Sequence, residues 1–405
     1  MTTLFAWRYF KSKKSTNAIN LISRISMVAV AVVTAALVVV LSVFNGFEHL
    51  VEELYADFYA DVKITAAQGK WIKTDAVLMQ QIQQHAAVKA VAPVIEERAM
   101  LLQGGDKSIV WLRGVEPNYA AVSGVPKHVL RGEFLLGSQE TPAIVMGTGV
   151  ENGLQIVAGQ TIEPITVYLP NRLASINADA TEALHSTNAF AAGAFSIQQE
   201  FDNQYAFTNA AFMRFMLDLQ PQEASAIEVA VKPGKDVNDV ANALQKQLGQ
   251  NFVVTSRYQQ NQALFAAMQI EKVIIMSVAF LILLIAAFNI ISSLTMMVIE
   301  KEKDIAVLQA MGANGQSIAG IFLQLGGILA GVGGLLGAAL GIFICWGQQT
   351  FHWVKIGGQS FIIDYYPVQM RWSDFVVVGI IILIISLIAG YAPSRRALRM
   401  QQSLR

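Results

Sequence analysis

Enzymatic chemistry needs particular side chains at particular spacings, and this sequence lacks the familiar sets. Its five histidines, His49, His85, His128, His185 and His352, are scattered without the spacing of metal ligands, and no H-E-x-x-H run occurs. There is no G-x-S-x-G nucleophile elbow. A phosphate-cradling loop would read G-x-x-x-x-G-K-[ST]; the stretch Gly104-Gly105-Asp106-Lys107-Ser108 does not have that spacing. The one cysteine, Cys345, lies inside an apolar run, which excludes an intrachain disulfide and argues against a cysteine-ligated metal. The chain is therefore expected to be non-catalytic and to bind no cofactor or metal. What stands out instead is Glu300-Lys301-Glu302-Lys303-Asp304-Ile305-Ala306-Val307-Leu308-Gln309-Ala310-Met311-Gly312. It reads as a short helix with a glycine stop. Ile305, Leu308 and Met311 recur at helical spacing behind a solvated charged head, which suits a docking segment for a partner or a turn between two spans that packs on the membrane.

The elements around that segment are set by composition. Of 405 residues 54% are hydrophobic and only 14% charged, and mean hydropathy is +0.45, so part of the chain must be solvated by lipid. Net charge is zero, which gives no field favouring nucleic acid. Four apolar runs are long enough to span a bilayer as helices: residues 22–45, 271–299, 317–346 and 375–393. The first exceeds the core of a secretory signal and reads as an uncleaved anchor. Arg8, Lys11, Lys13, Lys14 and Arg24 flank it, and Arg395, Arg396, Arg399 and Arg405 follow the last run, so both termini are expected in the cytoplasm. Residues 1–21, with Leu4, Phe5, Trp7, Tyr9 and Phe10 among basic residues, suit either an interfacial helix or a simple basic anchor. Residues 300–316 then form a cytoplasmic segment, 347–374 a short outer loop and 394–405 a cytoplasmic tail.

Residues 46–270 are predicted to fold as a large α+β domain outside the cytoplasm, between the first two spans. Short alternating runs such as Ser108 to Arg113 and Ala226 to Lys232 read as strands, and Thr74 to His85 and Asp236 to Leu248 as helices. Gly104-Gly105-Asp106 is a hairpin signal. In the third span Gly333, Gly337 and Gly341 make a small-xxx-small ladder, for packing inside one protomer or at a seam between two. The second span carries Asn289, Ser292 and Ser293 but nothing ionisable, which disfavours an ion-coupled transporter.

Several segments together resemble one family. Ile22-Ser23-Arg24-Ile25-Ser26 through Ser42-Val43-Phe44-Asn45-Gly46-Phe47-Glu48 is similar to the opening of the lipoprotein-releasing permeases LolC and LolE. So is Phe265 to Gly312, with Ala287-Phe288-Asn289-Ile290-Ile291-Ser292-Ser293 and Ile305-Ala306-Val307-Leu308, and so is the terminal Tyr391-Ala392-Pro393-Ser394-Arg395-Arg396-Ala397. The wider group is the MacB-like ABC permease superfamily. The resemblance implies a four-helix permease with a large outer domain, paired with a second permease subunit, itself or a paralogue, and with a cytoplasmic ABC ATPase dimer that supplies ATP and Mg. It implies extraction of a lipoprotein from the membrane and its release to a periplasmic carrier. By the same carry-over, Glu300 to Gly312 is the ATPase-coupling segment, and Val40, Val43, Phe44, Phe47, Leu264, Phe265 and Met268 line a lipoprotein cavity. Residues 170–188, with Pro170, Arg172, Leu173 and Ile176, stand where the family has a carrier-gripping hairpin. Two other functions remain compatible with these residues: efflux of drugs or peptides, and a signalling scaffold that moves no substrate.

Overall fold

The computed structural model describes residues 17–172, 183–356 and 365–400. The basic amino-terminal residues 1–16 and Leu173 and Ile176 of the carrier-loop expectation lie outside them. The chain divides into a helical unit (residues 1–50, 267–356 and 365–405) and an α+β unit (residues 51–266 and 357–364).

Long helices follow from long apolar runs, because each backbone polar group finds its partner within the segment. Four form among the described residues: Asn17–Phe58, Gln262–Glu300, Gly315–Phe351 and Trp372–Met400. Three are long and apolar enough to cross a membrane, while the fourth carries a shorter apolar stretch, Trp372–Ile388. The helices outrun their apolar windows. The expected first span ends near Phe44, yet the helix continues through Glu48, Glu52 and Glu53 to Phe58. No proline or isolating turn interrupts those polar residues, and most are good helix formers.

Within the helical unit, the third long helix is thinned by glycine on two faces. A Cβ on Gly333, Gly337 or Gly341 would meet backbone or side chains of Met27 to Val38, so the ladder lies directly against the first helix. A Cβ on Gly334 would strike Ile382, and Gly326 faces Gly390 of the fourth helix. Apolar side chains give no net drive for association in lipid, so close backbone approach and van der Waals contact must supply it. A second core, with Leu37, Leu41, Ile290, Leu294, Phe322, Leu325 and Leu329, fills the space between the helices.

Among the described residues, twelve strands lie in the α+β unit: β1 (Val62–Ala66), β2 (Ile72–Lys73), β3 (Val88–Gln103), β4 (Asp106–Val115), β5 (Val129–Gly132), β6 (Ala143–Gly147), β7 (Ile165–Pro170), β8 (Leu184–Phe195), β9 (Tyr205–Asn209), β10 (Glu223–Ala224), β11 (Ala226–Val231) and β12 (Phe252–Ser256). Ten of them form one sheet in the order β12-β1-β11-β3-β4-β9-β6-β8-β5, with β7 pairing both β3 and β8. That double pairing closes β3, β4, β9, β6, β8 and β7 into a ring and removes their free edges. The β3–β4 hairpin turns at Gly104 and Gly105, both at positive φ (58° and 113°), as a two-residue turn between right-twisted strands requires. Helices Ala76–Gln83 and Val237–Leu248 add Leu78, Ile82, Val240 and Leu244 to the core of this unit. Asp75 and Asp236 cap them by accepting from backbone N–H groups.

The last two turns of the first long helix belong to this unit. Phe58 is fully buried and stacks on Phe201 with ring centroids 4.0 Å apart, within an aromatic group that includes Tyr55, Tyr59, Tyr205 and Phe207. Beside it lies a buried charge. The Arg113 guanidinium pairs with Glu228, donates to Tyr119 Oη at 3.1 Å and lies 3.1 Å from Glu96 through Nε, between the rings of Phe58 and Phe207. Tyr119 donates in turn to Glu228 at 3.0 Å. Burial pulls the guanidinium toward neutrality, but Glu228, Tyr119 and Glu96 outweigh it and hold it charged, above its ordinary value. Burial likewise pushes the Tyr119 hydroxyl up, so it stays a neutral donor.

Two outcomes test these contacts. Glu228→Ala should strand the guanidinium and lower the unfolding free energy of the α+β unit by about 3–5 kcal/mol, measured by denaturant titration of the purified protein. Gly337→Ala should cost about 1–3 kcal/mol in detergent by overpacking the first helix. Gly331→Ala should cost nothing, because a Cβ there meets no neighbour within 4 Å.

Candidate functional site

Two features of the helical unit combine apolar lining, exposure and position. One is a cleft of about 210 Å³ between the first and second long helices. Val33, Ala36, Leu37 and Val40 line it from one side, and Ile274, Ile275, Val278, Ala279 and Ile282 from the other. The first set is spaced i, i+3, i+4 and i+7 and the second i, i+1, i+4, i+5 and i+8, so each is one helical face. No lining residue is polar or ionisable, so the cleft can hold hydrocarbon and offers nothing to catalyse a reaction or bind an ion.

Of the residues expected in a cavity, the structure brings only Val40 into this cleft. Val43 lines a second apolar cavity of about 290 Å³ with Val39, Ile344, Cys345 and Trp353. Phe47 turns edge-on to Tyr366 at 5.7 Å. Phe44 lies under the Lys272 ammonium, 5.9 Å from the ring centroid. Leu264 and Phe265 fall in the α+β unit, Phe265 against Tyr258 at 4.9 Å, and Met268 is half-buried at the start of the helical unit. The resemblance places Ile274 and Ile275 within a lining stretch, Ala263 to Ser277, but does not reach Val33, Leu37, Val278 or Ile282. Both helices are apolar all round, so no contrast in the sequence marks the face that lines a cleft.

The run Asn45-Gly46-Phe47-Glu48 closes one end of this region. Asn45 is buried and donates to Asp374 and to the Gln369 carbonyl. Any side chain at Gly46 would collide with the Pro367 backbone, so only glycine lets the segment before the fourth helix cross here. Glu48 accepts from Arg371 at 2.8 Å and lies 3.6 Å from the Lys272 ammonium.

The second feature is the short helix Glu302–Ala310. Its stop is a Schellman arrangement: Gly312 at φ 92° donates to the Gln309 carbonyl at 2.9 Å, and Ala313 N–H reaches the Leu308 carbonyl at 3.0 Å. Asn314 then caps the third long helix by accepting from Ser317. The expected stripe of Ile305, Leu308 and Met311 does not face one way. Ile305 turns inward, 4% exposed, into the same core as Val298 and Ile318, and Leu308 is half-buried. Met311 (70% exposed) points out together with Val307 (59%), flanked by exposed Glu302, Lys303, Asp304, Ala306, Ala310 and Gly312. The helix pivots about its own core contact and leaves Val307 and Met311, four residues apart, as its free apolar pair. Lys301, at the N-cap, pairs with Asp304 at 3.0 Å, and Glu300 closes the second long helix.

In the α+β unit, β7 and β8 form the arms of a hairpin, paired from Ile165↔Ala189 to Pro170↔Leu184. Arg172 just beyond Pro170 is exposed and lies over the Trp71 ring at 4.9 Å and 3.8 Å from Glu223. Among the described residues no group of three or more His, Cys, Asp or Glu is placed to hold a metal ion.

Comparison with known proteins follows the same division. Residues 23–247 match the MacB-like periplasmic core domain family, and residues 276–402 match the FtsX-like permease C-terminal family. Relatives similar along the whole chain include the lipoprotein-releasing system transmembrane protein LolE of Haemophilus influenzae, 24% identical over 98% of this chain and 96% of that one. The corresponding LolC of Neisseria meningitidis serogroup B is 27% identical over 99% and 98%. Among solved structures, the periplasmic region of MacB from Actinobacillus actinomycetemcomitans aligns at 12% identity over 53% of this chain and 97% of that one, with a TM-score of 0.35. With residues 23–247 matching the MacB-like core domain and 276–402 the FtsX-like permease region, the chain belongs to the MacB-like ABC permease superfamily and is similar along its whole length to LolC and LolE.

Proposed function

We propose that this chain is the permease subunit of an ATP-driven complex that extracts lipoproteins from the outer leaflet of the inner membrane and passes them to a periplasmic carrier. The observation that carries this reading is the cleft between the first and second long helices, lined by nine residues without a single polar side chain. Such a lining suits an acyl chain, which gains about 0.8 kcal/mol per buried CH₂. An anchor of several chains is held far too firmly in a bilayer to leave unaided, so the work must come from nucleotide hydrolysis. The chain has no phosphate-binding loop, and a separate ATPase dimer would supply it together with ATP and Mg.

In this reading four helices cross the membrane, both termini are cytoplasmic, and a second permease subunit, itself or a paralogue, completes the transporter. The α+β unit is periplasmic and the β7–β8 hairpin is its carrier-facing projection. The ATPase docks on the short helix Glu302–Ala310 through Val307 and Met311, the two apolar side chains it leaves exposed.

A photo-crosslinking residue at Val278 should capture an acylated lipoprotein in membranes, whereas one at Ile109, exposed in the α+β unit, should not. Capture of soluble periplasmic proteins alone would overturn extraction in favour of a scaffold, and drug sensitivity without stranded lipoproteins on depletion would favour efflux. For docking, Met311→Asp should reduce co-purification of the ATPase at least tenfold with the permease still inserted. Ile305→Asp should instead destabilise the permease itself, because it buries a carboxylate in the helical core. Undiminished co-purification with Val307→Asp/Met311→Asp would place the ATPase elsewhere.

A further inference from the structure

The two faces that line the cleft do not stop at its rim. On the first helix the stripe Val33, Leu37, Val40 continues at the same spacing to Phe44 and Glu48. On the second, Ile282, Ala279 and Ile275 lead back to Lys272. The apolar seam therefore ends in a carboxylate facing an ammonium 3.6 Å away, with the ammonium over the Phe44 ring. Glu48 is shared. Arg371, just before the fourth helix, donates to it at 2.8 Å and is braced by Gln369 at 3.3 Å.

We propose that Glu48 and Lys272 form a latch across the mouth of the cleft, and that Arg371 is a positioning residue that sets how readily it opens. The inference deepens the proposed function by naming how the same cleft is kept shut, and rests on that reading only for the cargo. The shared carboxylate is what makes the device reversible. If Glu48 had Lys272 alone, parting the helices would leave a four-fifths buried carboxylate without a partner, which is strongly resisted. With Arg371 holding Glu48, Lys272 can leave and its ammonium, 41% exposed, goes to water. A pair this exposed biases the open–closed balance by about fivefold at most, so it fastens the seam without locking it.

The signs of the two charge deletions therefore differ, which simple loss of packing would not produce. The readout is the labelling rate of Val278→Cys in the full-length chain in nanodiscs, using a lipid-soluble maleimide. Background from buried Cys345 is measured on the protein without the reporter. Lys272→Gln should speed labelling by about two- to fivefold. Arg371→Gln should slow it, because opening then orphans Glu48. Glu48→Gln should speed it and abolish the effect of either other change, and Lys272→Arg should keep the slow rate. Faster labelling with both Lys272→Gln and Arg371→Gln, or no change with either, overturns the latch. Because the assay contains no cargo, rates that follow this pattern while Val278 captures no lipoprotein would overturn the functional reading and leave the latch standing.

Discussion

Only hydrogen fits where the third long helix meets the first at Gly333, Gly337 and Gly341, and this contact decides what the other faces of the first helix are free to do. In lipid, apolar side chains on separate helices gain little by meeting one another, so contact at backbone range is what fixes a helix in place. Met27, Val30, Ala31, Thr34, Ala35 and Val38 are consumed on that side. The stripe from Val33 to Glu48 is left to the second helix, and Val39 and Val43 to the second cavity. The first helix thus meets the third helix, the second helix and a cavity with different faces, and its position is set by the one face that tolerates no slack.

Polar groups are concentrated where the apolar runs end. Asn45, Glu48, Lys272, Arg371 and Asp374 form one connected set at one end of the helical unit. The short charged helix Glu302–Ala310 marks the other end of the second long helix. Neither set contains a nucleophile with a base or a metal-binding cluster. Their chemistry is that of charge pairing and backbone capping at helix ends. The α+β unit makes the opposite choice and buries a charge. Arg113 keeps its proton in the interior because two carboxylates, a phenol and two aromatic faces surround it. Desolvation there is offset only as long as every partner stays, so the site rewards one packing over others that bury the same apolar area.

Much of this was legible beforehand because it rests on local rules. Long apolar runs must become helices in hydrocarbon, and their limits followed to within a few residues wherever glycine or a cap stopped them, as at Gly312 and Asn314. The Gly104-Gly105 hairpin and the helices capped by Asp75 and Asp236 were readable for the same reason: turn and cap chemistry acts within a few residues. The family resemblance was carried by such local runs, Asn45-Gly46-Phe47-Glu48 among them, although their physical roles were not visible in them. Phe47 shows the gap, since it was assigned to the cavity and instead packs on Tyr366, far along the chain.

What the sequence alone determined, then, was where the long apolar helices and the shorter fourth lie along the chain, the α+β character of the residues between the first two, and a short charged helix with a glycine stop after the second. Tertiary structure decided the rest. It closed the strand ring through β7, extended the first helix to Phe58 by burying its end among aromatics, and turned Ile305 inward so that Val307 and Met311 point out. It also chose which faces line the cleft. The reason is one of contrast: a helix apolar on every side carries no mark of direction, and a strand does not encode its partner. Facing is settled only when distant segments, such as Ala31 and Gly337 or Glu48 and Arg371, come within contact of each other.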